Sequence, residues 1–508
     1  MPVTEADWID RDFVAFHAGV RPNQTVCIAF ATNERITYLE LHAKVDRASA
    51  AITKLVGDVR GVPLAILARN SIDYLAFVVA CYRTGAVLQP LNWRLSASEL
   101  EFQLLDAGPA LAIYEDEFAA AMQTALTGAP KVRSATMDAF RAEMAAAPDE
   151  PFEAAVVGPD APFVLLYTSG TTGKPKGAIL SRINAFWQSY NFAALGDMSP
   201  NSVLLCDAPM FHTVGLIAVT WSTLQKGSTF AISDRFLPAL TLERLLDDGL
   251  GATHYFGVPQ IARALIEDPA YKPRALNRLT GFFVGGAPSP HDLIERMFMD
   301  GVRIANGFGM SETGTIMHMP LDLDVIRAHP GYVGLTAPVM QVKIMDEQGN
   351  EMPDGEAGEL CMRGPAVTRG YWGRPDATES AFFGDWFRSG DIGVKRPGDG
   401  FFRVLDRSKD MYISGGENVY PAEVESALMR IEGIAETAVI GIPDDRWGEV
   451  GCAYVVLKPG VELEPQAVIQ ACGQWLAPFK RPKHVRFLDA IPRNAAGKML
   501  KTALRSQF

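Results

Sequence analysis

The stretch YTSGTTGKPKG, Tyr167–Gly177, sets four aliphatic hydroxyls, three glycines and two lysines in eleven residues. The run before it, FVLLY (Phe163–Tyr167), has the pattern of a buried strand, and AIL after it resumes one. Ser181 then stands where an N-cap belongs, ahead of the helical pattern RINAFWQSYNFAAL. Glycines at 170, 173 and 177 permit positive φ and close backbone approach. Backbone N–H groups and the hydroxyls of Thr168, Ser169, Thr171 and Thr172 can surround an oxyanion, and Lys174 and Lys176 can neutralise it. That is the chemistry of a triphosphate cradle. It is not a Walker A loop, because Gly173-Lys174 is followed by Pro175 and position 168 is Thr where that pattern needs Gly. A plain polar surface loop would not call for two lysines among so many small residues.

The strand–helix rhythm runs outward from this loop. TYLELHAKVDRASAAITKLVG opens with Thr37 and Glu40 in capping-box spacing, carries Leu41, Val45, Ala48, Ile52 and Leu55 at 3/4 spacing, and stops at Gly57. LAILA reads as a buried strand, SIDYLAFVVACYRTG as a helix and AVLQP as another strand. Downstream, THYFG (Thr253–Gly257) and GFFVGG (Gly281–Gly286) read as strands, followed by the helices QIARALIED and HDLIERMFMD. This alternation predicts an α/β fold with mostly parallel sheets covered by helices. Ala119–Pro151, rich in Ala, Pro and acids, reads as helical excursions and loops.

After about Asp399 the character changes. GFFRVLDRSKDMYISGGENVYPAEVESALMRI reads as short strands, a Gly-Gly turn and a helix with Pro421 in its first turn. AETAVIGIPDDRWGEVGCAYVVLKPG reads as a two-stranded unit, EPQAVIQACGQWLAPFK as a helix and HVRFLD as a last strand. The expected division is a large N-terminal domain of layered sheets with covering helices, 1–405, and a small mobile C-terminal α+β domain, 406–508. The linker is expected near Leu405–Lys409.

Composition bounds the partners. The chain has 508 residues and a net charge of −12, which argues against a broad nucleic-acid footprint. Six scattered cysteines (Cys27, Cys81, Cys206, Cys361, Cys452, Cys472), with no C-x-x-C pair, read as reduced buried thiols. The start MPVTEADWIDRDF lacks the apolar core of a signal peptide, and the longest apolar run, YLAFVVACY, is too short to span a bilayer. The expectation is a cytoplasmic protein without an integral span, compatible with peripheral membrane contact and with a homodimer.

Six further motifs follow in order: PMFHTVG (Pro209–Gly215), NGFGMSET (Asn306–Thr313), GYWGRPDAT, WFRSGD (Trp386–Asp391), DRSKDMYISGGENVYPAEVE and PRNAAGKMLK (Pro492–Lys501). With YTSGTTGKPKG they resemble the signatures of the adenylate-forming superfamily: acyl-CoA synthetases, aryl-CoA ligases, beetle luciferases and peptide-synthetase adenylation domains. The resemblance covers essentially the whole chain. It implies ATP, Mg²⁺ and coenzyme A, and two half-reactions. A carboxylate attacks the α-phosphorus of ATP to give an acyl adenylate and pyrophosphate; a thiol then displaces AMP.

The resemblance also implies roles. Lys498 bridges the carboxylate and the α-phosphate, although a lone near-terminal lysine would otherwise read as a solvated charge. Glu312 holds Mg²⁺ with Thr168 as a second contact. Thr168, Ser169, Gly170, Thr171, Thr172 and Lys176 hold the phosphates. Gly285, Gly286 and Ala287, with Asn306, Gly307, Phe308 and Gly309, hold adenine, and Met310 and Ser311 complete the ATP site. Asp391 and Arg407 take the ribose. His212 stands near the acyl carboxylate, where a lone His on an apolar stretch would otherwise read as core. Lys409 is the hinge about which the small domain turns. Ser414, Gly415, Gly416 and Glu417 line a thiol tunnel; Trp447, Phe479, Arg481 and Lys483 face the phosphates of coenzyme A, or else form a solvated basic surface.

The acid is less legible. No acidic residue replaces His212 to pair an ammonium, and no Arg sits by Gly285–Pro288 to pair a second carboxylate. The expectation is an apolar monocarboxylic acid, with Phe211, Val214, Trp221, Tyr255 and Phe256 lining its pocket. The C-terminal signature resembles bacterial medium- or long-chain fatty acyl-CoA synthetases most. Benzoate- or cinnamate-type ligases, and enzymes that load a carrier-protein thiol, are the alternatives. A γ-phosphotransferase would release ADP instead. A silent nucleotide-binding regulator would lack Lys498, Glu312 or Asp391, and all are present. GFGMSE is not G-x-G-x-x-G and GMSET is not G-x-S-x-G, so neither a dinucleotide oxidoreductase nor a serine hydrolase is favoured.

Overall fold

The computed structural model describes residues 12–168, 175–233, 235–286, 289, 291–407, 409–414, 417–493 and 499–507. Two large sheets face each other. One has six strands in the order Arg133–Thr136, Leu111–Tyr114, Pro63–Leu67, Val87–Pro90, Pro162–Thr168, Lys176–Ser181. All neighbours are parallel except the last pair, which flanks the phosphate loop. The other has nine strands, parallel through its centre from Ile304–Met310 to Thr25–Ala29 and antiparallel at both edges.

The inner faces share one apolar core. The helix Tyr38–Val56 enters it with the capping box at Thr37 and Glu40, burying Leu41, Val45, Ala48 and Ile52. The helix Ile72–Thr84 is buried on nearly every side. Its one guanidinium, Arg83, is compensated by Asp12 at 2.8 Å and Asp46 at 2.5 Å, as a buried charge must be. The outer face of the nine-stranded sheet is covered by helices Pro238–Leu246, Pro259–Glu267 and His291–Met299. A third, antiparallel sheet (Gln341–Met345, Ala357–Arg363, Trp386–Lys395, Phe382–Phe383, Phe402–Arg407) closes the large domain. All six cysteines are buried and free.

The small domain is an α+β unit. The strands Ile434–Asp444 and Gly448–Leu457 form the expected two-stranded unit, joined by the hairpin Tyr412–Ser414 and Glu417–Val419 and by His484–Phe487. Separate apolar clusters pack on it through the helices Pro421–Leu428 and Pro465–Cys472 and through Leu504.

Three expectations change. Ala119–Pro151 contributes a strand, Arg133–Thr136, whose polar RSAT shows no apolar alternation because it is a half-exposed edge. Leu405–Arg407 is not linker but the end of the strand Phe402–Arg407, fixed by the register Asp391↔Arg407. The helix from Pro465 ends at Cys472, well short of Lys480. The apolar run after His212, for which the sequence set no expectation, is a π-helix, Val214–Trp221. Among the described residues, no helix is long and apolar enough to cross a membrane.

Candidate active site

Three segments meet at the carboxyl ends of the two large sheets. Strand Pro162–Thr168 delivers Thr168. Strand Ile304–Met310 runs parallel to Gly281–Val284 as far as Asn306, then pairs antiparallel with Gly314–His318. The turn between them carries Glu312. A Cβ on Gly309 would stand 2.2 Å from the Gly314 carbonyl, so only glycine lets this hairpin close. The third segment, Thr368–Trp372, lies between the other two.

Glu312 is the focus, with only 5% of its surface exposed. Its Oε1 accepts from the Tyr371 phenol at 3.0 Å and from the Thr168 hydroxyl at 3.5 Å. Burial raises its carboxyl above the ordinary range, and the Tyr371 and Thr168 hydrogen bonds and Arg407 pull the other way. The ammonium of Lys176 lies 5.2 Å from the Tyr371 ring. A buried carboxylate beside a hydroxyl is a set of hard oxygen donors, and its charge has a cost that a cation would relieve. The residues fit Mg²⁺.

Asp391 lies 3.6 Å from Arg407 Nε and is nearly buried. Its turn is held by Glu359, which the sequence did not mark. Glu359 Oε1 accepts the Gly390 N–H at 2.9 Å, and Oε2 accepts Arg388 Nε at 3.0 Å and Nη2 at 2.8 Å. Gly390 has φ +72, which a side chain would strain. Asn306 is engaged on both ends: Ser289 donates to its Oδ1 at 3.0 Å, and its Nδ2 donates to the Tyr332 carbonyl at 3.0 Å. A Cβ on Gly285 would lie 3.2 Å from the Gly307 carbonyl, so the two strand ends approach closely there. Phe308 and Met310 are half-buried against the cluster of the third sheet.

His212 lies two residues ahead of the π-helix: its N–H bonds back to Pro209 and its carbonyl accepts from Leu216. Wide π turns recur at functional sites. Its ring lies 4.6 Å from Phe211, which meets Trp93 edge-on at 6.0 Å. Arg94, unmarked by the sequence, lies 4.7 Å from the Trp93 ring. Burial, and then the charge of Arg94, push the His212 imidazole down to about 4. It is neutral at pH 7 and can accept or donate a hydrogen bond.

Two acyl-pocket expectations fail. Trp221 is core, wedged among Phe163 (4.9 Å), Tyr82 (5.2 Å) and Phe13 (5.6 Å). Tyr255 donates to Asp207 at 2.7 Å on the outer face of the nine-stranded sheet. Strand alternation sends its neighbour Phe256 to the other face, toward Phe192 at 6.4 Å. Phe211, Val214 and Phe256 therefore stay as candidates.

On the small domain, Trp447 lies between Arg446 (4.8 Å) and Lys483 (5.5 Å). Phe479 is partly exposed, while Arg481 donates to the Leu476 and Gly473 carbonyls. Ser414 is buried and Glu417 exposed on facing strands. The Lys409 carbonyl and Asp410 carboxylate accept from Arg505 at 3.2 and 3.1 Å. Ser169, Gly170, Thr171, Thr172, Lys174, Ala287, Gly415, Gly416 and Lys498 lie outside the described residues.

The architecture is that of a nucleotide-binding α/β enzyme with a separate small α+β domain. The family model described as AMP-binding enzyme matches residues 14–372, and that described as AMP-binding enzyme C-terminal domain matches 423–498. The chain belongs to this family, the adenylate-forming superfamily, and is an AMP-forming acid–thiol ligase. It is 38% identical to a feruloyl-CoA synthase from Amycolatopsis over 93% of this chain and 94% of that one. It is 34% identical to the long-chain-fatty-acid–CoA ligase FadD13 of Mycobacterium tuberculosis, over 97% of each chain. The o-succinylbenzoate–CoA synthetase MenE of Bacillus subtilis, solved with ATP and magnesium ion, superposes with a TM-score of 0.87 at 29% identity, over 98% of this chain and 99% of that one. The CoA ligases of this family use ATP, Mg²⁺ and coenzyme A.

Proposed function

We propose that this ligase clamps ATP with the large domain and joins an apolar aryl or fatty acid to coenzyme A. The observation that carries this reading is the convergence of Thr168, Tyr371 and the flank of the phosphate loop on the buried Glu312. Glu312 and Thr168 hold Mg²⁺, which would supply positive charge to the phosphates. Lys176 and the loop hydroxyls bind phosphate oxygens. Asp391, held by Glu359 and flanked by Arg407, accepts the ribose hydroxyls. Gly285, Gly286 and the strand Asn306–Met310 flank adenine. The acid's carboxylate attacks the α-phosphorus and the α–β bond breaks, releasing pyrophosphate. Lys498 spans the two anions as they meet, a barrier that fixed positive charge lowers. The thiolate of coenzyme A then attacks the acyl carbon through the passage at Ser414–Glu417, and AMP leaves. A division just after the strand Phe402–Arg407, rather than at 405/406, with Lys409 as hinge, lets one small domain serve both steps.

Of the two acid classes, the aryl reading has the better support. Phe211 and Trp93 offer flat apolar surfaces beside His212, and Phe256 offers another beside Gly285. On the helix Arg182–Leu195, which packs against the π-helix, the Asn191 amide is fully buried, with neither end hydrogen-bonded among the described residues. Such a group wants a partner, as a phenolic substituent would be. The greater identity to a feruloyl-CoA synthase agrees. The fatty-acid reading rests on the apolar π-helix and the FadD13 likeness. The test is a panel of hydroxycinnamic, benzoic and fatty acids with ATP and coenzyme A, scored for AMP and pyrophosphate. Hydroxycinnamates should lead; a clear preference for fatty acids overturns the aryl assignment, and ADP as product overturns the whole reading.

A further inference from the structure

The segment Thr368–Trp372 ties together two parts of the site that are far apart in sequence. Toward the phosphate-loop strand, the Ile179 N–H donates to the Gly370 carbonyl at 2.9 Å and the Trp372 N–H to the Gly177 carbonyl at 2.8 Å. The Thr368 hydroxyl donates to the Ile179 carbonyl at 2.6 Å. Toward the other part, the Thr368 N–H donates to the Glu312 carbonyl at 2.6 Å, and the Tyr371 phenol donates to Glu312 Oε1 at 3.0 Å. The Tyr371 ring meanwhile faces the Lys176 ammonium.

We propose that Tyr371 is a positioning residue that presets the Glu312 carboxylate for the Mg²⁺ of the nucleotide and couples it to the phosphate loop. The inference rests on Glu312 being the metal acid. A carboxylate held through one oxygen loses its rotational freedom, and its second oxygen is fixed in direction for a hard cation. In a buried site a hydrogen bond to a charged oxygen is worth more than an exposed one. The strap acts through Glu312. Its bonds to Gly177 and Ile179 tie the phenol to the strand Lys176–Ser181 that carries Lys176.

The test is Tyr371→Phe, which removes one oxygen and keeps the ring. ATP binding is followed by titration calorimetry in EDTA and across a series of free Mg²⁺ concentrations, with pyrophosphate release measured alongside. The free Mg²⁺ needed for half-saturation should rise about tenfold, the scale of one charge-assisted hydrogen bond. ATP affinity in EDTA should stay within about twofold, and Tyr371→His, which keeps a ring N–H donor, should recover part of the shift. Equal weakening with and without metal, or an unchanged Mg²⁺ requirement, overturns the proposal. Should the phenylalanine variant fail to fold, Tyr371→Leu, which also removes the donor, decides by the same criteria. Glu312→Gln separates the two readings. If it leaves the Mg²⁺ requirement untouched, the metal-acid assignment falls; if it shifts the requirement and Tyr371→Phe does not, only the positioning role falls.

Discussion

In the large domain, residues distant in sequence are sewn to one another: Thr168 and Tyr371 to Glu312, Glu359 to the Gly390 turn, Asp391 beside Arg407. In the small domain, the candidate residues sit on a hairpin and two turns, and Arg481 is held by carbonyls close by in sequence, those of Gly473 and Leu476. That domain has its own apolar clusters on its sheet. Its ties to the large domain include the Ala422 N–H on Asp406 (2.6 Å), in the strand Phe402–Arg407, while Arg505 holds Lys409 and Asp410 just beyond that strand. The difference teaches a division of labour. On the proposed function, a nucleotide carrying several charges takes a preorganised clamp, and Lys498 and the thiol, which would occupy one place in turn, take a body that can be exchanged.

The contrast can be broken most sharply at its moving end. Lys498→Ala should lower acid-dependent pyrophosphate exchange by about 10²–10³-fold while largely sparing thioester formation from supplied acyl adenylate. Equal loss of both would make the lysine a general structural residue. Gly416→Leu should do the reverse, blocking thioester formation; comparable damage to adenylation would reduce Gly416 to a folding turn. On the fixed end, Asp391→Asn should raise KM for ATP by about tenfold and leave kcat nearly unchanged, since it removes uniform ribose binding. Glu359→Gln should act in the same direction but more weakly, roughly threefold, because it acts only through the turn at Gly390.

The smallest effect concerns pH. Burial pushes both His212 and His318 from 6.5 down to about 4. Between those values the unfolded chain binds protons that the folded chain refuses, so stability is full above about pH 6.5 and falls as the pH drops toward 4. Unfolding temperatures recorded down that range should decline, and less steeply in His318→Phe. An unchanged slope would place the titration elsewhere.

Much of this was legible in the chain itself. The capping box at Thr37–Glu40, the Ser181 cap and the Gly-Gly hairpin after Ser414 are local features, and local chemistry fixes them. The motif residues Thr168, Glu312, Asp391 and Arg407 came together because short loops at strand ends leave little freedom. What was missed depends on tertiary neighbours. Nothing in GYWGRPDAT says that its phenol will point at Glu312, and nothing in GELC says that Glu359 will turn toward Gly390. Trp221 and Tyr255 misled because an aromatic side chain fits a pocket and a core equally well until its strand face or helical turn is known. The edge strand Arg133–Thr136 was hidden by its polarity.

The most direct measurement follows oxygen from the acid. With ¹⁸O in both carboxylate positions, attack on the α-phosphorus leaves one label in AMP when coenzyme A breaks the acyl–oxygen bond. One ¹⁸O per AMP, with none in pyrophosphate, is the predicted result. Label in inorganic phosphate, or AMP without label, would contradict an acyl-adenylate route.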